Sequence, residues 1–199
     1  MPVSTLALSA HKLYGPQGVG ALYVREGVEL EPVTFGGGQE KGLRSGTENV
    51  AGIAGFGAAA HLALDDLDDR MRHEEALRDA VISGATNIPG VRLNGHPRNR
   101  LSNNVHFSVE GIEAESLVLY LDALGYAVGS GSACASSTTG HKASPVLLAM
   151  GCTANETFSA VRITVGKDTT EEEVEGFLHA FTTAVTQLRE VSTFTLAES

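Results

Sequence analysis

The pattern of the chain changes at Pro89-Gly90, and that change limits the fold more than any other feature. Beyond it, short apolar runs alternate with helical spacing. Val91 to Asn94 and Asn104 to Val109 read as strands. Ala114, Leu117, Val118, Leu121 and Leu124 recur at helical spacing until Gly125 stops them. Tyr126 to Val128 reads as a short strand entering a Gly/Ser loop, Pro145 to Met150 as a short helix, and Val161 to Val165 as a strand. Thr169-Thr170-Glu171-Glu172-Glu173 has the form of a capping box. The helix it opens carries Val174, Phe177, Leu178, Phe181, Val185 and Leu188 on one face. This order predicts a compact α+β domain over 89–191, a small sheet with helices on one face, followed by a tail at 192–199.

Before Pro89 the chain reads differently. Val3 to Leu8 reads as a short buried strand, and Ala21 to Arg25 as a second strand. Between them, Gly15-Pro16-Gln17-Gly18-Val19-Gly20 has turn chemistry. The stretch from Phe35 to Thr47 has no hydrophobic period and contains Gly36, Gly37, Gly38 and Gly42, so it reads as a loop. From Glu48 to Leu64, the apolar positions Val50, Ile53, Ala54 and Ala58 predict a buried helix. Gly52, Gly55 and Gly57 each weaken it by ~1 kcal/mol relative to Ala, which points to close packing. Arg70 to Ala85 reads as another helix, with Glu74 and Arg78 spaced for an ion pair. Residues 1–48 therefore look like the end of an α/β sheet domain, joined by helices over 49–88 to the α+β domain.

Charge narrows the function classes. Lys plus Arg number 14 and Asp plus Glu 24, a net charge of −10, which argues against a dedicated nucleic-acid binder. No apolar run approaches the ~20 residues that span a bilayer, so no membrane role is expected. With two cysteines, Cys134 and Cys152, a disulfide scaffold is not expected; a soluble protein of a reducing compartment, the cytoplasm, is.

Four positions carry chemistry. Lys12 follows a strand, with Ser9 and His11 beside it. A lysine is a poor nucleophile at neutral pH unless desolvated or bound as an imine, and Ser9 and His11 could donate to a phosphate, as a pyridoxal-phosphate site requires. The plainer reading is an exposed lysine in a turn. Cys134 lies in Gly131-Ser132-Ala133-Cys134-Ala135, a polar loop suited to an accessible thiol, against the alternative of a cysteine without a role. Cys152, after an apolar run, reads as packing. Arg162 could clamp a carboxylate with its planar fork, although a lone arginine there also fits the solvent side of an edge strand. Arg44-Ser45-Gly46-Thr47 could form an anion-binding helix start, or an ordinary polar one. No metal-ligand spacing is present.

Together these segments are far more specific. Ser9-Ala10-His11-Lys12-Leu13-Tyr14-Gly15-Pro16 through Tyr23-Val24-Arg25 closely resembles the Schiff-base segment of the cysteine desulfurases, within the class V aminotransferases. Gly37-Gly38-Gln39-Glu40 through Arg44-Ser45-Gly46-Thr47-Glu48-Asn49 resembles a second family segment, Gly131-Ser132-Ala133-Cys134 the persulfide loop, and Val161-Arg162-Ile163-Thr164-Val165-Gly166 a fourth. The resemblance is collinear over nearly the whole chain. One departure is Lys142-Ala143-Ser144, where Glu-Pro-Ser is common.

The resemblance implies pyridoxal 5'-phosphate as cofactor, joined to Lys12, with Ser9 and His11 on its phosphate and Thr47 reaching the partner's site in a homodimer. It implies Arg162 on the substrate carboxylate and Cys134 as the persulfide-forming nucleophile. The activity implied is conversion of L-cysteine to L-alanine, with sulfur passed to an acceptor or iron–sulfur scaffold protein. The fold implied is the end of a pyridoxal-phosphate transferase large domain, incomplete over 1–48, then a small α+β C-terminal domain. The residues that stack on the cofactor ring and pair its pyridine nitrogen precede the lysine segment in the family, so the chain resembles the C-terminal half of such an enzyme. The isolated chain is expected to be inactive. Rival readings are another class V enzyme, such as a selenocysteine lyase, and a non-catalytic dimerisation or scaffold module.

Overall fold

The computed structural model describes residues 3–130 and 143–192. The chain forms two compact units, 1–68 and 69–199. The boundary passes through the expected connecting segment, so its first helix falls in the first unit and nearly all of its second helix in the second.

In the first unit, β1 (Thr5–Ser9) and β2 (Gly20–Val24) form an antiparallel hairpin, with Leu6 opposite Tyr23 and Leu8 opposite Ala21. Between them Ala10–Leu13 makes a 3-10 turn, closed by Tyr14 in the left-handed region at φ 61°. Leu6, Leu8 and Tyr23 share one face and Ala7, Leu22 and Val24 the other, since alternate residues of a strand point to opposite faces. Both faces are apolar, the composition of strands covered on both sides. The expectation that the first strand is buried is not met: Leu6 and Leu8 are about two-fifths exposed, and Leu22 of β2 more than half, because among the described residues of this unit only two strands pair.

Helix α1 (Val50–Asp65) is capped by Asn49, whose side chain accepts from the Gly52 N–H at 3.1 Å. Its buried face is Gly52, Phe56 and Ala59, not the expected Val50, Ile53, Ala54 and Ala58, which are exposed. Small residues select this face. A Cβ on Gly55 would lie 3.0 Å from Pro16 Cγ, so the turn after Lys12 rests against the helix where a side chain is missing. Gly57 faces open space and has no such contact.

In the second unit, α2 (Leu67–Thr86) precedes a three-stranded antiparallel sheet ordered β3 (Val91–Leu93), β4 (Asn104–Val109), β5 (Ala160–Thr164). The remaining helices are α3 (Ala114–Ala123), α4 (Pro145–Ala149), α5 (Ala154–Phe158) and α6 (Glu171–Val191). Val105, Phe107 and Val109 of β4 meet Val161 and Ile163 of β5 on the apolar face. Leu77 and Val81 of α2, Leu117 and Leu121 of α3, and Phe177 and Phe181 of α6 complete that core. The α+β expectation holds, including the double cap at Thr170 and Glu173. α5 was not foreseen; it has its own capping box, Thr153 with Glu156.

Two local expectations fail for physical reasons. Glu74 and Arg78 do not pair: Glu74 accepts from Ser102 Oγ at 2.6 Å, while Arg78 donates to Asp79 at 2.8 Å and to the Leu101 carbonyl at 3.2 Å. Both are buried and hold the 95–103 loop instead of each other. Tyr126 to Val128 is not a strand. The Tyr126 N–H is used by the Leu121 carbonyl in the C-terminal cap of α3, and the Tyr126 ring packs edge-on against Phe177 at 5.7 Å. Among the described residues, no single helix is long and apolar enough to cross a membrane, and no cluster of His, Cys, Asp or Glu could hold a metal ion.

Candidate active site

The lysine turn is built on Ala10. That residue is fully buried, its N–H donates to the Val19 carbonyl at 3.1 Å, and its carbonyl accepts from Gly15 at 2.9 Å. The flanking side chains project from this fixed point. His11 and Lys12 are exposed and Ser9 is half-buried. Among the described residues none of the three has a side-chain hydrogen bond or ion pair. The turn carries Lys12 out to solvent at the end of β1, so its charge bears no burial cost here.

The second loop of this unit is folded largely on itself. Ser45, buried, donates to the Thr34 carbonyl at 3.2 Å; Gly46 N–H donates to Gln39 Oε1 at 3.1 Å; Arg44 Nη1 donates to the Ser45 carbonyl. These donors are occupied, so the segment is not an open anion-binding loop as such. The Thr47 side chain is exposed and has no side-chain partner among the described residues.

Arg162 lies in the second unit, on the polar face of the sheet. It is exposed at the centre of β5, opposite His106 of β4, and its side chain has no partner among the described residues. Its backbone N–H and carbonyl bond Gly129, at 2.6 and 3.0 Å. Gly129 thereby anchors the start of the segment that leads toward Cys134, which itself lies outside the described residues. Around Arg162 the face is cationic, although the chain is acidic overall. Arg92 pairs with Glu156 at 2.8 Å, and Arg100 donates to the Asn94 carbonyl at 2.9 Å. Cys152, expected as plain packing, is half-buried with its Sγ 3.8 Å from Arg92 Nη2.

Sequence reasoning did not single out His106 or Asn94. Asn94 is buried, and its Nδ2 lies 3.0 Å from His106 Nδ1 and 2.9 Å from Ser108 Oγ. Burial, then the charges of Arg162 and Arg100, holds the His106 pKa below its ordinary value. The available signal was the alternation Asn104, His106, Ser108, which puts three polar side chains on the face that Arg162 shares.

The donor set tests the cofactor. An amine, an imidazole and a hydroxyl on one turn, all unpartnered, suit a phosphorylated aldehyde: the amine to join the carbonyl carbon, the others to meet the phosphate. The residues present fit pyridoxal phosphate.

The fold is that of part of a pyridoxal-phosphate transferase, as comparison with known proteins shows. Residues 1–177 match the aminotransferase class-V family, and the chain belongs to that family, whose cofactor is pyridoxal phosphate. It is 43% identical over 187 residues to cysteine desulfurase IscS 1 of Archaeoglobus fulgidus, covering 94% of this chain and 48% of that one. It is 42% identical over 196 residues to cysteine desulfurase IscS of Methanosarcina thermophila, covering 98% and 48%. Among solved structures, a NifS-like protein superposes with a TM-score of 0.83 at 36% identity, over 94% of this chain and 47% of that one. A NifS-like protein from Rickettsia africae gives 0.83 at 30%, over 92% and 48%. The chain thus spans about half the length of the curated relatives it matches.

Proposed function

We propose that the chain is the lysine- and cysteine-bearing half of a cysteine desulfurase. The observation that carries this reading is the Ser9–Lys12 turn, an unpartnered amine directly after two unpartnered phosphate donors, in a chain 43% identical to a desulfurase. Pyridoxal phosphate, when bound, supplies the electron sink that labilises the bonds at Cα of an amino acid. The chain's residues do the rest. Lys12 Nζ holds the cofactor and, once released, moves the Cα proton. Ser9 and His11 bind the phosphate, with Thr47 acting at the partner's site in a homodimer. Arg162 fixes the substrate carboxylate. The Cys134 thiolate attacks the substrate sulfur: the Cβ–S bond breaks, an S–S bond forms, and the carbon takes a proton. L-cysteine leaves as L-alanine and Cys134 is left as a persulfide, for delivery to an acceptor or iron–sulfur scaffold protein in the cytoplasm.

Two measurements test this. Borohydride reduction after adding pyridoxal phosphate should fix a mass on the peptide containing Lys12, and not in Lys12→Ala. Fused to the part of a relative that it does not match, the chain should yield alanine from L-cysteine one-for-one with a persulfide on Cys134. Full sulfur release by Cys134→Ser would sink the reading and favour a different class V substrate, such as selenocysteine. The hairpin exposed on both faces favours a second reading, in which this chain by itself is non-catalytic and serves as a binding half.

A further inference from the structure

We propose that His106 is a second substrate-binding residue, donating its Nε2–H to the carboxylate that Arg162 takes, with Asn94 as the positioning residue that fixes this tautomer. The inference rests on the carboxylate role given to Arg162 above.

The hydrogen-bond network determines where the imidazole proton sits. Ser108 Oγ has two acceptors in reach, the Glu156 carbonyl at 2.9 Å and Asn94 Oδ1 at 3.4 Å, and its single proton goes to the nearer, the Glu156 carbonyl. Toward Asn94, 2.9 Å away, Ser108 can then only accept, so the amide nitrogen of Asn94 faces it. The same nitrogen lies 3.0 Å from His106 Nδ1. With the Asn94 amide in this orientation its nitrogen donates, so Nδ1 offers a lone pair and the ring proton resides on Nε2.

The sheet register aims that proton. Both backbone groups of Arg162 point to Gly129, and the His106 carbonyl accepts from Asn94 N–H on the other side at 2.7 Å. His106 and Arg162 are therefore a non-hydrogen-bonded antiparallel pair, the type with Cα atoms only about 4.5 Å apart and side chains close together. Arg162 carries an unpartnered guanidinium beside a half-buried ring whose free edge is an N–H donor. Two donors side by side cannot bond each other. They share an acceptor, and on a face this cationic the matching acceptor is an anion with two oxygens, a monocarboxylate.

The test uses the 15N-labelled chain and acetate as probe, with chloride at equal ionic strength as control. Long-range proton–nitrogen spectra should show His106 protonated on Nε2. Acetate, and not chloride, should move the His106 Nε2 and Arg162 Nε signals along one binding curve. His106→Phe should weaken acetate about tenfold, the loss of one hydrogen bond to a charged group. His106→Gln, which keeps an N–H donor, should retain more of the binding than His106→Phe. Asn94→Ala should mix the two tautomers, a change that loss of packing alone does not produce. A proton on Nδ1, an equal response to chloride, or acetate moving Arg162 without His106 would overturn the proposal while leaving the Arg162 reading intact. Acetate moving neither would overturn both.

Discussion

Gly129 and Arg162 exchange both backbone hydrogen bonds, at 2.6 and 3.0 Å, and are the bridge between the sheet and the segment that runs on to Cys134. In the function proposed above, Arg162 holds the substrate that the Cys134 thiol attacks, so the two need a common frame, and this bridge would supply one end of it. Gly129→Pro removes the N–H that donates to the Arg162 carbonyl. Exchange of the Arg162 amide should accelerate about tenfold, as expected from loss of one hydrogen bond and its neighbour. In a fusion of this chain with the part of a relative that it does not match, the proposed persulfide formation should fall about a hundredfold with little change in melting temperature, since small misplacements of reacting groups cost that much. Unchanged persulfide formation would show that the bridge does not orient the loop.

His106 sets a pH dependence of stability. Its folded pKa is lowered by burial and by Arg162 and Arg100; Asn94 and Ser108 complete its polar surroundings, and Arg92 and Glu156 pair further along the face. A group depressed on folding contributes stability that is present above its unfolded value, near 6.5, and lost as pH falls through the lower folded value. Urea midpoints should therefore drop on acidification below about pH 6.5, and His106→Gln should remove part of that slope. In Arg162→Ala the His106 pKa, read by NMR, should rise.

Much of the second unit was legible because its patterns are redundant. Asn104–Val109 alternates polar and apolar residues and is bounded by the sheet as expected, and α6 has a start signal and an apolar face that agree. The first unit was less legible. The buried face of α1 is made of Gly52, Phe56 and Ala59, and small residues carry no hydrophobic signal, so periodicity pointed to the larger Val50 and Ile53. Glu74 and Arg78 have helix-pair spacing, yet each finds a better partner in a distant loop, which spacing cannot show. Of the candidate site, Lys12 and Arg162 were visible as residue types in context. His106 was hidden because its role depends on a cross-strand neighbour 56 positions away, 162 less 106.

Gly176 is required by Tyr126. A Cβ at position 176 would lie 2.5 Å from the Tyr126 hydroxyl, and the ring is held edge-on by Phe177 at 5.7 Å. Gly176→Ala raises helix propensity but should destabilise overall by about 1–2 kcal/mol through overpacking. The double variant with Tyr126→Phe, which removes the clashing oxygen, should recover most of that in urea unfolding. Simple additivity of the two changes would show that the contact carries nothing.

The hairpin that bears Lys12 sets the last prediction. Leu6, Leu8 and Tyr23 on one face and Leu22 on the other are all more than two-fifths exposed, and an isolated two-stranded hairpin is at best marginally stable. The lysine turn is held by Ala10 and by Pro16 against α1, while the strands on either side of it are exposed among the described residues. Catalysis needs the amine, the phosphate donors and the substrate held within fractions of an ångström, and losing such positioning costs several kcal/mol, with ~1.4 kcal/mol already tenfold in rate. The 199-residue chain should therefore convert L-cysteine to L-alanine at a small fraction of the rate of its full-length relatives. Supplying, in trans or by fusion, the part of a relative that this chain does not match should protect the hairpin amides from exchange and raise activity together. Leu8→Asp offers the control. It places a charge on a side chain exposed here, so it should leave the isolated chain's unfolding unchanged, yet it should block both the protection and the gain in activity. Robust turnover by the chain alone, or full complementation by Leu8→Asp, would show that the hairpin needs no cover.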